Sequence, residues 1–159
     1  MRSLLAALVA CTSTTTMEPT MVESNKQLVR RLYTEYLNPG RLDRLEEIVS
    51  PAFRGGPAAF AAPVSGLRTA MPDLTYTVED VVGDGDRVAV RWTLRGTHTG
   101  QFRSFAATGK PITNTGFAMF ELAGGKIVRS WIETDRLGFL QTIGAIPDDP
   151  AFGTRPPAK

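Results

Sequence analysis

Residues 87–97, RVAVRWTLRGT, alternate apolar and polar side chains along their whole length. Neighbouring side chains on a strand point to opposite faces, so Val88, Val90, Trp92 and Leu94 share one face. Arg87, Ala89, Arg91, Thr93 and Arg95 take the other. The GDGD string at 83–86 is a strong hairpin signal, and residues 74–82 before it alternate in part. Residues 110–122 read as a further strand, and AGG at 123–125 is the turn into a last one. Residues 127–135 alternate well enough for a half-buried strand, which puts Trp131, Glu133 and Asp135 on one face. Leu137, Leu140, Gln141 and Ile143 then follow at spacings that suit a short helix packed back on that strand. Strands joined in chain order by short turns make an antiparallel meander.

Helical patterns come first in the chain. Residues 23–37 carry Leu28, Val29, Leu32, Tyr33, Tyr36 and Leu37 as one stripe, with Ser24 as the expected N-cap and Gln27 completing a capping box. Asn38-Pro39-Gly40 stops that helix. Residues 41–49 predict a shorter one, with Leu42, Leu45, Ile48 and Val49 facing in. Residues 52–71 are interrupted by Gly55, Gly56, Pro57 and Pro63, which predicts loop first and then a helix ending near Ala70. The only histidine, His98, falls in a loop over 97–108. This order predicts an α+β domain over 21–145, with helices gathered on one face of a mostly antiparallel sheet. A strongly curved sheet closed by helices makes a cone with a blind pocket.

Composition narrows the function classes. A net charge of +2 from mixed signs offers no basic cluster, which argues against nucleic acid as a partner. One cysteine excludes an internal disulfide, and one histidine beside it argues against a metal site of the usual zinc type. No run of 18 apolar residues is present. Residues 1–20 lie outside the predicted fold and have two readings. Leu8-Val9-Ala10-Cys11 resembles a bacterial lipobox, with Cys11 lipidated and residues 12–20 a tether, which would put the protein in the cell envelope. Alternatively the start codon is mis-called and Met17 or Met21 opens a cytoplasmic protein. Residues 146–159 form a Pro-rich tail.

Several separate strings carry a family resemblance. They are LNPGRLD (37–43), AMPDL (70–74), VRWTLRGTHTG (90–100), TGKP (108–111) and GGKIVRSWIETDRLG (124–138). With them the chain resembles the SnoaL-like polyketide cyclases, or ester cyclases, of the nuclear transport factor 2-like superfamily of cone-shaped folds. The resemblance implies N-terminal helices on a curved sheet, a short C-terminal helix, and acid–base chemistry with no metal or organic cofactor. Relatives close the last ring of an aromatic polyketide by intramolecular aldol condensation, with an aspartate near the end of the last strand moving the proton. Asp135 occupies that position; by the same match His98, Trp131 and Asn38 become candidate pocket residues, with His98 a second catalytic candidate as a hydrogen-bond donor (His98 or a tyrosine) to an enolate oxygen. One departure stands out: where the family commonly has a histidine and an acidic residue after Phe53, this chain runs Arg54-Gly55-Gly56-Pro57-Ala58-Ala59.

The residue types suit that chemistry. An aldol closure needs a base for the proton alpha to a carbonyl and an acid for the new alkoxide, and one sheltered carboxyl can serve as both in turn. Each candidate also has a structural reading. Asp135 directly precedes the last helix and is a natural N-cap. Glu133 can pair with Arg91 or Arg95 across the sheet, while Arg91 can otherwise bind an anionic substrate. Tyr33 and Tyr36 flank the first helix stripe, so one packs and Tyr33 is a candidate for substrate contact. The leading expectation is thus a cyclase- or isomerase-type enzyme acting on a hydrophobic small molecule. A non-catalytic ligand-binding or dimerisation module of the same fold is the alternative, and an epoxide or ester hydrolase the third. A homodimer through the outer sheet face is expected by analogy of fold.

Overall fold

The structure is a computed structural model that describes residues 20–147. Cys11 and the tail beyond Pro147 lie outside the described residues. Helix α1 spans Met21–Arg31 and is capped by Thr20, whose hydroxyl accepts from Glu23 N. The expected cap at Ser24 therefore lies inside the helix, because Thr20 offers the same chemistry one turn earlier. Beyond Arg31 the backbone widens into a π-helical stretch over Leu32–Leu37, with Asn38 N donating to Tyr33 O at 2.9 Å. Gly40, at φ 74°, turns the chain out of it. The expected second helix is a 3-10 stretch over Leu42–Glu47.

Helix α2 (Gly56–Ala70) carries Pro63 in its interior and precedes strand β1 (Thr75–Asp84). Strands β2 (Arg87–Thr97), β3 (Pro111–Ala123) and β4 (Lys126–Thr134) follow, and helix α3 (Arg136–Thr142) closes the described chain. The four strands pair antiparallel in the order β1-β2-β3-β4, the predicted meander. Val88, Val90, Trp92 and Leu94 are buried as the alternation requires, and pack with Val29, Leu32, Leu45 and Phe120 in the core between sheet and helices.

Two clamps join the N-terminal helices to the sheet. The Asn38 amide donates to Tyr76 O at 2.9 Å and accepts from Tyr76 N at 2.7 Å, imitating one more backbone pairing at the edge of β1. The Arg68 guanidinium donates to Leu37 O, Asn38 O and Leu74 O, tying the end of the π-helical stretch to the residue before β1.

Strand β4 does not alternate strictly. Glu121 pairs with Arg129 but Leu122 pairs with Ile127, so Val128 is an extra residue, a β-bulge. One extra residue reverses which face every later side chain occupies. Ile127 is buried on the inner face, and after the bulge Ser130, Ile132 and Thr134 take that face in place of Trp131 and Glu133.

Candidate active site

A cavity of about 750 Å³ lies between the sheet, the π-helical stretch, α2 and α3. Its origin is visible in α2. Ala59, Ala62, Pro63 and Gly66 line it, and such short side chains leave unfilled the space that larger ones would occupy. Across from them stand Trp92, Phe120 and Ile132 of the sheet. Gly116 lets the Trp92 ring lie flat along the sheet floor: a methyl at that position would collide with Trp92 and come within 2.6 Å of Glu133 O.

The buried end is aromatic. Tyr33 meets Tyr76 edge-on at 5.6 Å between ring centroids, and Tyr76 meets Trp92 edge-on at 5.3 Å. Both tyrosines line the cavity and neither hydroxyl is hydrogen-bonded to the described residues. Burial pushes the Tyr76 phenol up to about 12, against a smaller opposing pull from Arg68. Burial, reinforced by Tyr76, also pushes the Tyr33 phenol up. Two neutral O–H donors therefore face a largely apolar space at any ordinary pH. The π-helical stretch separates Tyr33 from Tyr36, whose hydroxyl instead donates to Glu47 at 2.8 Å outside the cavity.

Polar groups also stand nearer the solvent-exposed end. Asn114 Nδ2 donates to Thr134 Oγ1 at 3.0 Å, and both residues line the cavity with Gln101, Arg103 and Arg136. No aspartate or glutamate is among the described lining residues, and no cluster of potential metal ligands occurs among the described residues.

Asp135 is half-buried at the junction of β4 and α3, and its Oδ1 accepts from Gly138 N at 2.8 Å as the helix N-cap. It is not a lining residue, although Thr134 and Arg136 on either side of it are.

The other expected pocket residues require correction. Trp131 and Glu133 are exposed on the outer sheet face, because the Val128 bulge inverts the assignment that strict alternation predicts. Arg91 is on that outer face too, paired with Asp80 rather than with Glu133. His98 is fully buried away from the cavity lining, with Nδ1 against Thr108 Oγ1 at 3.0 Å and its backbone pinning 108–110. Asn38 is the backbone clamp described above and does not line the cavity. Of the expected substrate contacts only Tyr33 does.

Tyr76, Trp92, Asn114, Thr134, Arg103 and Arg136 were not among the expected site residues. Asn114 had a signal, since it alternates with Ile112, Ala118 and Phe120 as a polar side chain on an apolar face.

A helix-backed antiparallel sheet with a cavity between sheet and helices defines the cone-shaped nuclear transport factor 2-like class. Within it, the family model of the SnoaL-like polyketide cyclases matches residues 27–143, and the chain belongs to that family. The chain is 32% identical over 116 residues to aklanonic acid methyl ester cyclase DnrD of Streptomyces peucetius, covering 71% of this chain and 74% of that one. Among solved structures it is similar to a presumed SnoaL-like polyketide cyclase from Jannaschia sp. CCS1. That match has a TM-score of 0.73 and 26% identity, and covers 82% of this chain and 98% of that one. It is also similar to AclR, a presumed hydroxylase from Streptomyces galilaeus, with a TM-score of 0.71, 25% identity, and 80% and 85% coverage. One fold thus carries more than one proposed chemistry.

Proposed function

We propose that this protein is a cyclase of the ester-cyclase type, closing a ring in a hydrophobic, polyketide-like substrate by intramolecular aldol addition. The single observation that carries this is the pair of neutral phenols, Tyr33 and Tyr76, facing an apolar cavity without protein partners. A carbonyl oxygen placed between them is polarised, and the negative charge of its enolate is received by donors already in position. Asp135, beside the lining residues Thr134 and Arg136, is the general base. Its carboxylate removes the proton alpha to that carbonyl, and the enolate carbon bonds to a second carbonyl carbon of the same molecule. The resulting alkoxide takes the proton back from Asp135, so the product is an isomer of the substrate and no redox partner is needed.

Aklanonic acid methyl ester, which the name of the Streptomyces relative points to, is the first compound to try. Turnover to a cyclised product of unchanged mass is the expected result. Binding without turnover would instead support the ligand-binding module. One observation favours that second reading: no carboxylate is among the described lining residues, and Asp135 already caps α3. The hydrolase reading gains nothing from the described lining residues, none of which is a carboxylate that could position a water.

The outer sheet face supports a further part of the reading. Phe117 and Trp131 are 59% and 46% exposed there, with the Arg91–Asp80 pair on the same face. A second copy of the chain packed on this face covers both rings, which gives a homodimer.

A further inference from the structure

Among the described residues two charged side chains line the cavity, and both are cations, Arg103 and Arg136. Arg103 sits at the tip of a tight turn in which Phe102 and Phe105 exchange both backbone hydrogen bonds. Its φ of 53° is the only positive value at a non-glycine position among the described residues. The Gln101 side chain donates to Arg103 O at 2.7 Å and braces that conformation. The Arg103 guanidinium lies 5.7 Å from the centre of the Phe102 ring, and Phe102 packs edge-on against Phe139 of α3 at 4.9 Å. Arg136 is three residues before Phe139 on the same helix, so the two arginines flank one aromatic pair at the exposed end of the cavity.

Neither guanidinium has a carboxylate partner among the described residues. Asp135, which precedes Arg136 in the sequence, accepts from Gly138 N. Two cations in the wall of a largely apolar hollow, with no acid among the described lining residues to neutralise them, attract a ligand of opposite charge. The planar fork of arginine suits a carboxylate.

We infer that the natural ligand is an amphipathic acid: a fused-ring or polyketide-like apolar body held in the cavity, with a free carboxylate gripped by Arg103 and Arg136. The inference rests on the cavity being the substrate site, and it deepens that reading by fixing the substrate's charge. It separates this chain from a cyclase named for a methyl ester, in which the acid is masked. Ring closure here precedes any esterification of that carboxylate.

Quenching of Trp92 fluorescence by anthraquinone carboxylic acid and by its methyl ester tests the inference without turnover. Trp131→Phe in the background removes the other indole. The expected result is about tenfold tighter binding of the acid than of the ester, weakened by added salt for the acid alone. Arg103→Gln and Arg136→Gln each reduce the acid's affinity and leave the ester's unchanged, and the double variant removes the preference. Equal binding of acid and ester by the unsubstituted arginines, or a preference that survives in the double variant, overturns the carboxylate site while leaving the cavity as the ligand site. Failure of both compounds to bind overturns the two together.

Discussion

Ile132 faces the cavity while its neighbour Trp131 faces out of the sheet. The bulge at Val128 decides which is which. Had the indole pointed inwards, it would have occupied much of the space that α2 leaves open, so the bulge preserves the hollow as well as terminating strict pairing. Ile132→Trp should therefore fill the cavity and abolish binding of an apolar dye, whereas Trp131→Ala should leave binding unchanged. Fluorescence titration of both variants checks this.

The phenols of Tyr33 and Tyr76 separate catalysis from folding. Tyr33→Phe and Tyr76→Phe remove hydroxyls with no hydrogen-bond partner among the described residues, so melting temperature should hold or rise slightly. Turnover should fall by about tenfold or more for each, through loss of a donor to the enolate. Steady-state rates and thermal melts on the same preparations give both readouts.

A pH dependence follows from the same pair. Their folded values lie above the ordinary tyrosine value of about 10, with Tyr76 pushed up to about 12. Between these limits the unfolded chain has already lost protons that the folded chain keeps, so stability is complete below about pH 10 and declines above it. Urea denaturation midpoints measured across that alkaline range should fall for the natural protein and fall less for the double Tyr→Phe variant.

Much of the fold was readable because its signals are local. Strand β2 begins and ends where alternation says it should, the GDGD turn is a two-residue hairpin, and α2 ends at Ala70. What escaped the sequence depends on partners distant in the chain. A bulge is visible only when the partner strand is paired against it, and β4 taken alone presents Trp131, Glu133 and Asp135 as one face. The π-helical register at Leu32–Leu37 left no mark on a stripe that also fits a regular helix. Asn38 was expected near substrate on the family resemblance, and its amide instead completes the edge of β1. The Asp135 cap was legible from its place before α3.

Arg68 holds three carbonyls from the two segments that the Asn38–Tyr76 hydrogen bonds also join. Arg68→Met keeps the stem and removes the donors, which should destabilise the fold by about 2–4 kcal/mol. Chemical denaturation measures that loss. Asn38→Ala should be destabilising in the same sense, by about 1–3 kcal/mol.

If the outer sheet face joins two copies, light scattering after size exclusion gives twice the chain mass of 17.2 kDa. Trp131→Glu should then shift the protein to monomer without unfolding it, as far-ultraviolet circular dichroism would record. A natural protein that already elutes as a monomer contradicts the dimer.

The most direct test of the catalytic account is the rate of ring closure by Asp135→Asn beside its melting temperature. Asparagine caps a helix about as well as aspartate does, so α3 should stay anchored and the melting temperature nearly constant. The account predicts turnover reduced by about a hundredfold or more, since the amide cannot carry the proton. Undiminished turnover in a stable Asp135→Asn protein would contradict it, and would leave Asp135 with a structural role alone.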